Sequence, residues 1–214
     1  MLADLRQGWS AWRSRPWIWL TDIKFALFNA IAYSPLLVLG PVIAQHRLGG
    51  SASWGLILAA QGAGAVTVGL LLIGRRFARP LLVVNLAHAA WALPLAGLAL
   101  PAPVPLIAVA AFLAGAGSAT FLAVWTTTLQ RNVPSALLSR VSSYDYLASF
   151  AIGPVGLAVA GPIAAVTGDS TLLWAGMAWQ LISTGAMISL PPIWRFRDSP
   201  SAVPAPAGDK QATM

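Results

Sequence analysis

The chain has 214 residues, 57% of them hydrophobic and only 9% charged. A soluble domain carries about 25% charged residues, so this composition excludes a water-facing globular surface and makes the lipid bilayer the expected solvent. The net charge of +7 comes from 13 Lys+Arg against 6 Asp+Glu; because the basic residues sit between apolar runs, the positive-inside rule accounts for them and no nucleic-acid partner is expected.

Residues 1–16 come first. Leu2, Leu5, Trp9 and Trp12 fall on one helical face, with Asp4, Arg6, Gln7 and Arg13 off it. That is the pattern of an amphipathic helix lying in the membrane interface; a frayed terminus is the alternative. Pro16 opens a first span over residues 17–44, longer than the ~20 residues a bilayer core requires, so a tilt or a kink near Pro35 is expected. Gly49 and Gly50 turn the chain into a second span, residues 52–74. There Gly62 and Gly69, with Val66 between them, form a small-residue face suited to close helix packing. Arg75, Arg76 and Arg79 crowd the next turn, and Pro80 opens the third span, residues 81–100, which carries Asn85 and His88. Pro101, Pro103 and Pro105 make an uncharged hairpin before the fourth span, residues 104–128.

Residues 129–145, LQRNVPSALLSRVSSYD, are the longest polar interruption in the chain. They read as a basic connection, limited by Pro134, that ends in a helix start with Ser142 as cap and Asp145 in the capping-box position. The fifth span, residues 144–166, holds Gly153-Pro154 and Gly161-Pro162, and the sixth, residues 171–190, stops at Pro191-Pro192. The membrane domain is therefore expected over residues 17–192. The tail, residues 193–214, is rich in Pro, Ala and Ser and is expected to be disordered.

Of the 13 basic residues, 11 lie before the first span, after the second, between the fourth and fifth, or after the sixth. Arg47 alone is on the opposite side, and Lys24 lies inside a span. The asymmetry predicts an all-α integral membrane protein with six transmembrane helices and both termini in the cytoplasm. No signal-peptide pattern precedes the first span.

The connection LQRNVPSALLSRVSSYD resembles the cytoplasmic loop between the tenth and eleventh helices of bacterial major facilitator superfamily (MFS) permeases, closest to the enterobactin-exporter-like drug and siderophore exporters. LADLRQGWSAWRSRPWIWL is similar to the central linker and seventh helix of that group, and GPVGLAVAGPIAAVTG to its eleventh helix. The resemblance covers about residues 2–192 and implies the second six-helix half of the MFS fold, multi-pass in a bacterial inner membrane. It implies proton-coupled export of a small amphipathic molecule, without a cofactor and without enzymatic activity. The family fold has two such halves, so it further implies a fragment, a separately made N-terminal six-helix half as partner, or a homodimer. The turn Gly74-Arg75-Arg76-Phe77-Ala78-Arg79 resembles the superfamily's basic gating turn but lacks its acidic partner.

Asp22 and Lys24 are the ionisable residues placed well inside a span, and such residues are functional suspects by default. Two positions on a helix differ by about 200°, so they do not pair along it. Asp22, Asn29 and Tyr33 share one stripe, and in the resembled fold the seventh helix lines the central cavity, so this stripe is expected to contact substrate or proton. Hydration of Asp22 at the interface, with Lys24 snorkelling, is the competing reading. Gln61 needs a polar partner in hydrocarbon. Thr120 and Thr127 share a face expected to line the cavity; Trp125 suits either the cavity or an interfacial belt. Arg75, Arg76, Arg79, Arg131, Arg140 and Asp145 read as a cytoplasmic gate or, singly, as orientation charges and a cap. Asn85 and His88 read as structural, since the third span is peripheral in the resembled fold.

With no cysteine, six scattered aspartates and two distant histidines, no metal site is expected. An intramembrane serine hydrolase is disfavoured, because Ala119 stands where Gly-x-Ser-Gly needs glycine and both histidines precede Ser118. A non-transporting accessory subunit remains an alternative.

Overall fold

The computed structural model describes residues 2–100 and 102–198, and the side chains from residue 6 onward; among these residues every regular element is a helix. Helix α1 spans Leu2–Arg13. Five long helices follow: α2 (Pro16–Arg47), α3 (Ser51–Leu71), α4 (Pro80–Ala99), α5 (Val104–Asn132) and α6 (Ser135–Thr167). Each is long and apolar enough to cross a membrane, since ~20 residues at about 1.5 Å rise match the ~30 Å hydrocarbon core. Helix α7 (Asp169–Ser189) has 21 residues and so equal reach, but it buries Gln180, Ser183 and Thr184 and falls short of the others in apolarity. A short helix α8, Pro191–Trp194, ends the set. The chain is thus an all-α, multi-pass membrane protein, with five strongly apolar spans and a more polar α7.

The long helices are bent where their sequence requires it. Pro35 has no N–H and its ring crowds the carbonyl four residues earlier. The preceding residues Asn29–Tyr33 widen into a π-helical turn, a known response to such an insertion in the ladder. In α6 the helix breaks at Ala151 and Ile152, just before Pro154. The two irregularities face each other. Asn29 Nδ2 donates to the Ser149 carbonyl at 3.1 Å, and Ser34 Oγ donates to the carbonyls of Asn29 at 2.7 Å and Gly153 at 3.3 Å. Side chains of α2 thus reach backbone oxygens on either side of the α6 break, and Ser34 also bonds a carbonyl of its own π-turn, which helps to keep the backbone satisfied in an apolar medium.

The 129–145 connection is not a loop. Helix α5 runs to Asn132, α6 begins at Ser135, and Pro134 occupies the N-cap position. Ser142 and Asp145 therefore lie within α6 rather than at its start. Pro134 suits the position just outside a helix, because its fixed φ and missing N–H cost nothing there.

Helix α5 is the spine. It packs along α3 on one side and α4 on the other, α4 leads to α7, and α7 and α6 both lean on α2. The α3–α5 crossing depends on two glycines: a Cβ on Gly64 would fall 1.9 Å from the Phe112 carbonyl oxygen, and one on Gly115 would fall 1.9 Å from that of Gln61. Gly62 and Gly69, expected from sequence to form a face for close helix packing, would have nothing within 4 Å of an added Cβ. Gly62 is exposed, about 200° round from Gly64 at 100° per residue, and Gly69, about 140° round, is half-buried.

Helix α1 is docked as well as amphipathic. Trp9 packs edge-on against Tyr144 of α6 at 5.7 Å, Trp12 stacks on Trp9 at 5.0 Å, and Trp12 is buried. The side chains of Leu2 and Leu5 lie outside the described part. At the other terminus the expected disorder does not begin at residue 193. Ile193 is fully buried, Phe196 packs on Trp17 at 5.0 Å, and Asp198 forms an ion pair with Arg131; residues 199–214 lie outside the described part. Elsewhere large apolar side chains such as Leu56, Val66, Leu70, Val155, Ile163 and Ile182 are left uncovered by protein, which is the surface a bilayer covers.

Candidate functional site

The main cavity, about 620 Å³, lies between α2, α3, α4, α5 and the first half of α6. That is the size of a pocket for a drug-like molecule. Its wall is aromatic. Phe25 stacks on Phe121 at 4.8 Å and meets Phe150 edge-on at 5.6 Å, and Trp91 packs against Phe28 at 5.5 Å and Tyr33 at 5.2 Å. Among the described residues no lysine or arginine lines it, whereas two carboxyl groups, Asp22 and Asp145, do.

These two carboxyls lie within hydrogen-bonding reach of each other. Each is held by an indole: Trp12 Nε1 donates to Asp22 Oδ2 at 2.6 Å, and Trp125 Nε1 donates to Asp145 Oδ1 at 3.0 Å. Asp22 is fully buried, and its Oδ1 has no hydrogen-bond partner among the described residues. An ionised carboxylate only accepts, so a proton held between the two carboxyls would supply the missing donor. Burial of Asp22 replaces the hydrated-interface reading.

Asp22, Asn29, Tyr33, Gln61 and Trp125 all line the cavity. Thr120 and Thr127 do not. The lining positions on α5 are Ser118, Phe121, Leu122, Trp125, Thr126, Leu129 and Gln130, which repeat with helical period, and Thr120 stands about 200° round from Ser118. Thr120 is buried and bonds the Ala116 carbonyl at 2.9 Å; Thr127 opens onto a second cleft. Thr126, one residue away, takes the cavity position.

The expected gate divides. Arg75, Arg76 and Arg131 border the second cleft, about 470 Å³, with Asp198. Arg75 Nε donates to the Leu71 carbonyl at 3.0 Å and so caps the end of α3. Arg79 is exposed at the start of α4. Arg140 bonds Gln7 of α1, and Asp145 makes contacts with Trp125 and Asp22. Asp145 thus lines the cavity beside Asp22.

Lys24 does not snorkel. It is buried, and its Nζ donates to Asn85 Oδ1 at 2.9 Å and Thr184 Oγ1 at 3.0 Å, joining α2, α4 and α7. Facing away from Asp22, it meets polar atoms of two helices and has no reason to climb to the interface. Truncating it leaves two buried acceptors with no donor. Lys24→Met should therefore destabilise the helix bundle by about 1–3 kcal/mol, read as a lowered midpoint in detergent-solubilised thermal unfolding.

Sequence reasoning read His88 as structural, weighed Ser118 only as a nucleophile, and passed over Phe25, Phe28, Trp91 and Phe121. The signal was present for most of them: Asp22, Phe25, Asn29 and Tyr33 form one stripe of α2, and Ser118, Phe121 and Trp125 one stripe of α5. No protein-family profile, characterised protein or solved structure matches this chain.

Proposed function

We propose that this chain is one six-helix half of an MFS-type secondary permease, with α7 as its sixth span, and that it exports a small amphipathic molecule in exchange for protons across a bacterial inner membrane. The observation that carries the reading is the aromatic cavity with a single carboxyl pair at one end. A chain that only scaffolds another protein has no use for a fully buried Asp22 beside a half-buried Asp145 on a cavity wall, since removing a carboxylate from water costs several kcal/mol. A substrate with a cationic or donor group would displace the shared proton, which is the exchange an antiporter needs.

The two spans least covered by protein, α3 and α6, flank the cavity. A second six-helix body laid across them would close it and cover Gln61 and Thr126. In the lone chain those polar groups would face lipid. The preferred partner is an N-terminal six-helix half, and a second copy of this chain is the other outcome of the test.

The test is reconstitution of the chain alone and together with an N-terminal half of a related permease, with the oligomer counted by single-molecule bleaching. Dye efflux driven by a proton gradient is expected only from the paired assembly. A monomer that transports would overturn the half-permease reading, and an assembly that forms without transporting would favour the accessory-subunit alternative. Orientation has its own check. The chain has no cysteine, so single cysteines replacing Arg79 and Ala136 should react with an impermeant maleimide only from the cytoplasmic face. Labelling of either from outside intact cells would reverse the topology.

A further inference from the structure

His88 sits on the cavity wall with the carboxyl pair, and its surroundings specify which ring nitrogen carries the proton. Gln180 Nε2, on α7, lies 2.7 Å from the His88 carbonyl oxygen and 3.2 Å from His88 Nδ1. A carbonyl oxygen only accepts, so the Gln180 atom facing it must be the amide nitrogen; the flipped amide would set oxygen against oxygen at 2.7 Å. The same NH₂ group then donates to Nδ1. Nδ1 is thus an acceptor, and the ring proton belongs on Nε2. Gln180 is fully buried and keeps this orientation although its own Oε1 finds no partner among the described residues.

The imidazole is fixed from three further sides, by Phe28 at 4.4 Å, Phe121 at 4.9 Å and Phe25 at 5.5 Å. Its Nε2 makes no hydrogen bond within the described protein, and the ring lines the cavity. Beside it, Ser118 Oγ accepts from Trp91 Nε1 at 2.8 Å, which leaves the Ser118 hydroxyl proton free to donate. Ser118 and Trp125, the residue that holds Asp145, are seven positions apart on α5, or roughly 10 Å. The cavity therefore has a donor pole at His88 and Ser118, an acceptor pole at Asp22 and Asp145, and aromatic walls between.

We propose that His88 is a ligand-binding residue, locked by Gln180 as the Nε2–H tautomer, and that the cavity takes an aromatic cation that also carries a hydrogen-bond acceptor. The proposal rests on the cavity being a ligand site, as the proposed function holds. It adds the residue that reads the far end of the ligand, on a helix that the resemblance treats as peripheral.

Two cationic dyes separate the contributions. Tetraphenylphosphonium has no hydrogen-bond acceptor; rhodamine 6G carries an ester carbonyl. In the full chain with exposed His46 replaced (His46→Asn), His88 is the remaining imidazole, and its ¹⁵N chemical shifts report the tautomer without any change at the site. The expected result is an Nε2–H ring whose Nε2 signal moves with rhodamine 6G and not with tetraphenylphosphonium. His88→Phe keeps the ring contacts and should weaken rhodamine 6G by about tenfold, one hydrogen bond's worth, while leaving tetraphenylphosphonium unchanged. Gln180→Leu should release the lock and populate Nδ1–H. An Nδ1–H ring in the parent chain would overturn the proposal, as would dye binding that quenches tryptophan fluorescence without moving the His88 signals. Failure of both dyes to bind would overturn the cavity reading itself.

Discussion

Asp22→Asn should abolish proton-driven transport in the assembled permease while leaving expression and thermal stability at the parent level. The amide oxygen can still accept from Trp12 Nε1 across the present 2.6 Å contact, and the amide N–H₂ can donate to the Asp145 carboxyl beside it. The variant therefore reproduces a proton-loaded pair that cannot release its proton. Downhill dye movement should survive; accumulation against a gradient should not. Asp22→Ala tests the other half of the argument. It strands the buried Trp12 indole N–H and should cost about 1–3 kcal/mol, loosening α1 from the bundle as well as stopping transport. Efflux assays in everted vesicles and thermal unfolding in detergent separate the two effects. Wild-type accumulation by Asp22→Asn would reduce the carboxyl pair to an anchor for α1.

The second large effect is structural. Gly115→Leu or Gly64→Leu should detach α3 from α5 and prevent accumulation of the folded chain. Even a methyl group at either position would stand 1.9 Å from a backbone oxygen, well inside van der Waals contact, and backbone cannot swing away as a side-chain tip can. Overpacking costs typically about 1–3 kcal/mol, occasionally more, and α3 has little else to hold it. Its other main contact is near its start, where the Trp54 ring lies over Gly40. Gly62→Ala and Gly69→Ala are the controls. Nothing stands within 4 Å of either added methyl, and alanine is the better helix former by roughly 0.5–1 kcal/mol. Equal tolerance at all four positions, measured by thermal midpoint in detergent, would contradict the crossing.

Composition and the helical repeat were enough to establish the class of the molecule and the position of its helices. A chain with 9% charge and 57% apolar residues must satisfy its backbone internally in lipid, and helices do so without neighbours. The α2 stripe of Asp22, Asn29 and Tyr33 was legible because its spacing follows from the helical repeat alone. Packing between helices settled what no single helix encodes. Which glycines pack is set by the rotation of α3 against α5, so Gly64 and Gly115 make the crossing while Gly62 and Gly69 have no close neighbour. The same rotation turns Thr126 toward the cavity and Thr120 away from it. Asp145 reads locally as a helix cap, because an acid three residues after a serine is a local signal. It becomes half of a carboxyl pair only when α6 is laid against α2, 123 residues earlier in the chain. Lys24 and His88 differ from a snorkelling lysine and a packing histidine only through Asn85, Thr184 and Gln180. Those partners come from other helices, 61 to 160 residues away, and pairing across such separations depends on how whole helices settle, which local spacing does not specify.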